Sequence, residues 1–445
     1  MNLKLLTKYF VLFTVLLFPH NLSAQIMRQM MEKEPVSGAS IFRPYFHDAD
    51  KEVEISVGGG RYKPFYISHL GRHGARYYSQ PNSWQYTFDC FETASSIGDL
   101  TEEGQSLYLA IKKIYDAHEG MYGELAPLGA EEHRGIAKRM FDRFKTVFTS
   151  RTRKHVRCVS SIYSRCLMSM ANFSEELSSL APDLEISFLA GKRYNNEYIN
   201  SPIEYDFSIE ANLILDSLKR SDLDPYSLIS LYFNDSQVAT SLISDLYAFE
   251  MGLYYFWAIS YDLDFLGVDI TSLIPIDELA KCSAIDNATK YAKVAVSAEF
   301  GKYTRVKGIN MLKDFVAKAE DALQKDSQVA ADLRFAHDST FLPICALLGV
   351  EGYPICSIKE AYESWNAADA VPMCSNLQMV FYKGKRDVLV KVLVNEKETI
   401  LTGLTPVYTV FYRWKDIKAL IDGLECSDNE TYNAVNHLQN NQLYE

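Results

Sequence analysis

The sequence predicts an α/β sandwich, a mainly parallel sheet between helical layers, with an inserted α-helical cap. Three observations carry this. Apolar runs rich in branched and aromatic residues alternate with helical periodicities along the 445 residues, as strands joined by crossover helices do. Two short polar strings, Arg72-His73-Gly74-Ala75-Arg76 and His337-Asp338, each follow such a run, where open sheets place their ligands. The content is 48% hydrophobic and 13% aromatic, enough for a large buried core.

In chain order, Pro64 to Leu70 reads as a buried strand ended by Gly71. Thr101 is an expected N-cap, followed by Leu107, Ile111, Ile114 and Tyr115 at helical spacing. A helix from Ala130 sets Ile136, Met140, Phe144, Val147 and Phe148 on one face. His155 to Ser160 is a strand leading into a helix with Arg165, and Glu185 to Ala190 is a further strand. From Glu204 to about Ala292 the pattern is helical and rich in Leu, Tyr and Phe, which suits a cap. Asp332 to Ala336 is a strand, with a helix behind it through Leu348. Leu377 to Tyr382, a turn at Lys383-Gly384-Lys385 and Val388 to Val394 read as a hairpin at the sheet edge. The expected division is a core of 25–200 and 293–445, a cap of 201–292, and a loop, 77–125, bordering the site.

Lys4 and Lys8, the apolar run Tyr9 to Pro19 and Asn21-Leu22-Ser23-Ala24 form a signal-peptide pattern over 1–24, with cleavage expected after Ala24 and a periplasmic or secreted product. No lipid anchor or later membrane span is expected. An oxidising compartment permits disulfides among the eight cysteines, but several, Cys345 among them, lie in apolar runs that suit buried thiols. No CxxC pair suggests zinc. The net charge is −12, which argues against nucleic acid and requires any phosphate site to gather its cations locally.

Phosphoryl transfer needs cationic donors on the phosphate oxygens, a nucleophile in line with the leaving oxygen, and an acid for the leaving alkoxide. Arg72 and Arg76 offer planar forks that match phosphate geometry. Gly74 lets the backbone turn tightly. His73, between two guanidinium groups, is expected to stay neutral and nucleophilic to low pH.

These residues resemble the histidine acid phosphatase family, which includes phytases, acid phosphatases and inositol polyphosphate phosphatases and shares a phosphoglycerate-mutase-like core. Arg72 to Arg76 matches its RHGxR motif, His337-Asp338 its HD motif, and Arg165 its arginine on the helix after the second core strand. The resemblance extends to Gly123 to Gly129 and to Val371 to Gln378. It implies that His73 becomes a phosphohistidine and that Asp338 protonates the leaving alcohol. Arg72, Arg76, Arg165 and His337 would hold the phosphoryl oxygens, with no metal or cofactor. Arg157 competes for the third arginine role; the family pattern selects Arg165.

Two departures stand out. Tyr78 occupies a position where many members have proline, and HD replaces the HAE usual in the inositol polyphosphate branch. An acidic optimum is expected, since Asp338 must carry a proton while His73 stays neutral. The expected substrate is a small phosphomonoester, an inositol phosphate first and a sugar phosphate second. The rival readings are a phosphoglycerate-mutase-like transferase and a phosphoester-binding protein without turnover. Lys192, Arg193, Lys302, Arg305 and Lys307 are open candidates for contacts to further phosphates. Asp262-Leu263-Asp264 imitates a calcium loop but lacks its later ligands, and Gly58-Gly59-Gly60 reads as a turn.

Overall fold

The computed structural model describes residues 21–47, 62–385 and 387–426. Most of the expected signal peptide and the Gly58 to Gly60 turn lie outside them. The eight strands among the described residues are β1 Lys63–Arg72, β2 His155–Ser160, β3 Glu185–Ala190, β4 Val329–Ala336, β5 Asn376–Lys383, β6 Val388–Val394, β7 Lys397–Glu398 and β8 Phe411–Arg413. They form one sheet in the order β3-β2-β4-β1-β5-β6-β7, with β8 also on β6. The expected parallel sheet is its β3-β2-β4-β1 part; β5 to β8 extend it antiparallel. The hairpin β5–β6 therefore sits inside the sheet rather than at its edge, because two short strands that sequence reading missed pair with β6.

β1 continues through Gly71 to Arg72 instead of stopping at Gly71. Gly71 pairs with both Phe335 and Asn376, so neighbours on two sides hold a residue of low strand propensity in the ladder. β4 is buried along its whole length, as a central parallel strand requires. Thr101 caps its helix by accepting from the Gly104 N–H at 3.0 Å. The next helix begins at Pro127, where proline's fixed φ suits a first turn. It ends at Arg143, and Val147 and Phe148 belong to a separate turn, Lys145–Phe148, packed under the same core.

The stretch 77–125, expected as a loop bordering the site apart from the helix after Thr101, holds that helix, Glu102–Asp116, and an unexpected one before it, Asn82–Ile97. Trp84, Phe88 and Phe91 of Asn82–Ile97 are buried, and Phe91 packs on Phe249 of the helix Leu246–Ser260. The helical layer is thus built from two parts of the chain: this pair, and the helices Ser208–Asp222, Pro225–Tyr232, Ser236–Leu242, Leu246–Ser260 and Ile276–Val294. No described helix is long and apolar enough to cross a membrane. Cys90, Cys158, Cys166, Cys282, Cys345, Cys356 and Cys374 are unpaired thiols.

Candidate active site

Register explains how residues far apart in sequence meet. Arg72 pairs with Ala336 in the parallel ladder, so His73 and His337 leave adjacent strands at the same level. The His73 N–H donates to Ala336 O at 3.0 Å. Ser160 pairs with Phe335, which puts Ser161 and the helix Ser164–Leu180 at the same end. Three parallel strands therefore deliver their carboxyl ends to one point, the usual ligand position in such sheets.

Arg72 is fully buried. Its Nη1 donates to Ile41 O at 2.9 Å and Val371 O at 2.6 Å, while Nε and Nη2 have no protein partner. Arg76 donates from Nη1 to Tyr77 O at 2.9 Å and keeps an unpartnered Nε. Burial and the charges of Arg165 and Arg72 lower its pKa to about 10. Arg165 also has an unpartnered buried Nε, and its guanidinium lies 4.9 Å from the Tyr163 ring centroid. Arg157 is committed elsewhere, to Asp332 at 2.7 Å and Asp321 at 2.6 Å.

His73 Nδ1 lies 3.0 Å from the Gly74 carbonyl, which can only accept. Nδ1 therefore carries the hydrogen, and Nε2 presents its lone pair. Burial, then Arg72, Arg165, Arg76 and His337, push the imidazole well below its ordinary pKa. The expected neutral ring is thus enforced by desolvation first and the arginines second.

His337 is also neutral, lowered to about 3 by burial and Arg165. Ser161 gives its hydroxyl hydrogen to Asn195 Oδ1 at 2.8 Å, so its oxygen accepts from His337 Nε2 at 2.9 Å. As a phosphate donor, His337 would have to exchange that bond.

Asp338 opens the helix Asp338–Leu347, its Oδ1 accepting from the Ser339 N–H at 2.8 Å. Burial raises its pKa, but Arg72, Lys290, His337 and the Ser339 N–H outweigh it and hold the carboxyl at about 2. The expectation that Asp338 waits protonated needs correction. The cations gathered at the site, Arg72 first, hold this carboxyl low.

Several residues that shape the site were not singled out in sequence. Glu132, buried on the helix Pro127–Arg143, accepts from the Ala75 N–H at 2.8 Å, the Tyr45 N–H at 2.6 Å and the Cys374 thiol at 3.4 Å. Asp262, dismissed as a false calcium ligand, accepts from the Arg76 N–H at 3.3 Å. Burial and the nearby Glu132 push Asp262 well above the carboxylate range. A Cβ on Gly74 would stand 2.6 Å from Gly129 O, so the loop passes backbone to backbone over the helix start. The Tyr78 N–H donates to His118 Nε2 at 2.9 Å. A proline there would lack this donor, which gives the departure from the family pattern a local reason.

Glu132→Ala would leave the Ala75 and Tyr45 N–H groups buried without acceptors. We expect a loss of about 3 kcal/mol, read as a lower Tm, and at least about a 10-fold lower kcat through misplacement of the loop. Glu132→Gln, whose single amide oxygen can accept from only one of the two N–H groups, should recover only part of the stability; an alanine variant with wild-type Tm would remove Glu132 from this role.

Among the five open basic residues, Lys307 is the one whose charge acts on Asp338 and His337; its Nζ also donates to Asn200 Oδ1 at 2.5 Å. Arg193 pairs with Glu197, Lys302 lies over the Tyr303 ring, Arg305 donates to Leu424 O, and Lys192 is exposed.

The sheet order and its helical layers give a fold similar to that of the histidine acid phosphatases. A multiple inositol polyphosphate phosphatase of Bifidobacterium longum, solved with inositol hexasulfate, superposes with a TM-score of 0.72 at 19% identity, covering 86% of this chain and 97% of that one. The phytase of D. castellii gives 0.63 at 14% identity, with coverage of 87% and 84%. The phytase of Citrobacter braakii gives 0.53 at 13%, with coverage of 81% and 98%. By sequence, no family model and no curated protein matches the chain.

Proposed function

We propose that the chain is an exported phosphomonoester hydrolase acting through a phosphohistidine on His73. The observation that carries this is the meeting of unpartnered, buried guanidinium N–H groups from Arg72, Arg76 and Arg165 around a neutral imidazole with a free Nε2. Buried donors without acceptors are costly, and a phosphoryl group supplies acceptors of matching charge and shape.

In the first step, the Nε2 lone pair bonds to phosphorus, the ester P–O bond breaks, and the leaving oxygen takes a proton through Asp338. In the second, water attacks phosphorus, the P–N bond breaks, and Asp338 receives the water's proton. The guanidinium groups hold the nonbridging oxygens throughout. The helical stretch 201–292 is the proposed cap over this site. An inositol phosphate is the proposed substrate class, supported by the inositol hexasulfate complex of the Bifidobacterium structure; sugar phosphates come second.

The test is phosphate release from phytate, glycerophosphate, glucose phosphate and nitrophenyl phosphate, with an alkaline denaturing quench to trap an acid-labile, base-stable phosphoenzyme. Tight binding of these esters without release over hours would make the chain a binding protein instead. Inorganic phosphate at about 100 times its Kd should stabilise the fold by about 2.7 kcal/mol, visible as a rise in Tm; no rise at millimolar phosphate would contradict an anion site.

A further inference from the structure

An exposed aromatic ring stands beside the reaction centre. Tyr163 lies in the link between β2 and the helix Ser164–Leu180, and this link is held at both ends. The Ser161 N–H donates to Phe335 O at 2.9 Å and the Ser161 hydroxyl to Asn195 Oδ1 at 2.8 Å. At the other end, Tyr163 O accepts from the Cys166 and Leu167 N–H groups at 2.9 and 3.1 Å. The ring therefore projects from fixed backbone, which keeps the entropy cost of packing a ligand against it small.

Three rings step outward from the nucleophile. The His73 and His337 centroids are 5.7 Å apart, and those of His337 and Tyr163 5.2 Å, with the latter planes at 86°. Exposure rises along the series, from 3% at His73 and 6% at His337 to 47% at Tyr163. The Arg165 guanidinium lies over the same tyrosine ring, 4.9 Å from its centroid. Single exposed apolar side chains are ordinary on a protein surface. Tyr163 differs in touching two of the side chains that would hold the phosphoryl oxygens.

The geometry of displacement says what would lie there. The phosphoryl group must sit at the buried end of the series, within reach of His73 Nε2, and the leaving oxygen points away from the nucleophile. The leaving alcohol then extends toward solvent past Arg165 and His337, and Tyr163 is the exposed ring on both. An uncharged phenol ring offers C–H groups an apolar face, so what it reads is the carbon frame of the alcohol rather than further charge.

We propose that Tyr163 is a specificity-determining residue whose ring packs against the ring of the leaving alcohol, so that phosphate esters of cyclic alcohols are cleaved in preference to those of open-chain alcohols. The inference rests on the phosphatase reading and adds to it a demand on the shape of the leaving group.

The test is the ratio of kcat/KM for cyclohexyl phosphate to that for isopropyl phosphate, in wild type, Tyr163→Ala and Tyr163→Phe. Both esters release a neutral secondary alcohol, so they make the same demand on Asp338 and the same contacts to the phosphoryl oxygens. Any general damage to Arg165 or His337 cancels in the ratio, and what remains is contact with the ring. Wild type should favour the cyclohexyl ester, Tyr163→Ala should lower the ratio by about 10-fold, and Tyr163→Phe, which keeps the ring, should leave it unchanged. An alanine variant with the wild-type ratio overturns the proposal while leaving the phosphatase reading intact, and so does a phenylalanine variant that loses as much as alanine. Failure of wild type to cleave either ester overturns both.

Discussion

His73→Ala is expected to lower phosphate release from every ester by roughly 10,000-fold or more, since removing a covalent nucleophile removes the pathway rather than one contact. Binding should survive. The guanidinium groups of Arg72, Arg76 and Arg165 do not depend on the imidazole for their protein contacts, so the variant should still gain Tm from inorganic phosphate. The side chain's described hydrogen bond is local, from Nδ1 to the next residue's carbonyl, so a modest stability change is expected. Release within about 10-fold of wild type would refute a phosphohistidine at this position. Loss of activity together with loss of the phosphate-induced Tm shift would mean that the site had collapsed, and a His73→Asn comparison separates that case.

Apart from Arg165, which the family pattern selected, the parts of this site legible in the sequence share one property: their chemistry lies in contiguous strings. Arg72 to Arg76 and His337-Asp338 each follow a strand, and strand ends are legible from composition and periodicity. The supporting residues act across long separations. Glu132 reaches Ala75 over 57 positions and Asp262 reaches Arg76 over 186, with nothing local to mark either one. Asp262 even sat in a pattern that suggested metal and failed as such. The helix Asn82–Ile97 was missed for a related reason: it starts at Pro81 with no side-chain cap, so Gln80-Pro81-Asn82-Ser83 reads as a turn although Trp84, Phe88 and Phe91 carry helical spacing. β7 and β8 have two and three residues, too few for any period to register.

The electrostatics of Asp338 lead to the second large effect. Because its carboxyl is held at about 2, it is ionised above roughly pH 4 before substrate arrives. A phosphate monoester supplies the missing proton when it binds as the monoanion, whose own pKa is near 6. Its charge also offsets Arg72, which lets Asp338 take up that proton and pass it to the leaving oxygen. Activity on glycerophosphate should therefore fall as pH rises past about 6, by up to about 10-fold per unit as the monoanion disappears. His73, well below its ordinary pKa, should remain neutral across that range and add no acid limb there. Asp338→Asn should lower kcat on glycerophosphate by about 100-fold to 1,000-fold. With nitrophenyl phosphate, whose leaving group departs without a proton, phosphoenzyme formation should stay fast while its hydrolysis slows for want of a base. The signature is a burst of nitrophenol close to one per active site, followed by slow turnover. A wild-type rate on glycerophosphate that climbs from pH 5 to 8 would refute delivery of the proton by the substrate. An unchanged kcat for the asparagine variant would refute the acid role of Asp338.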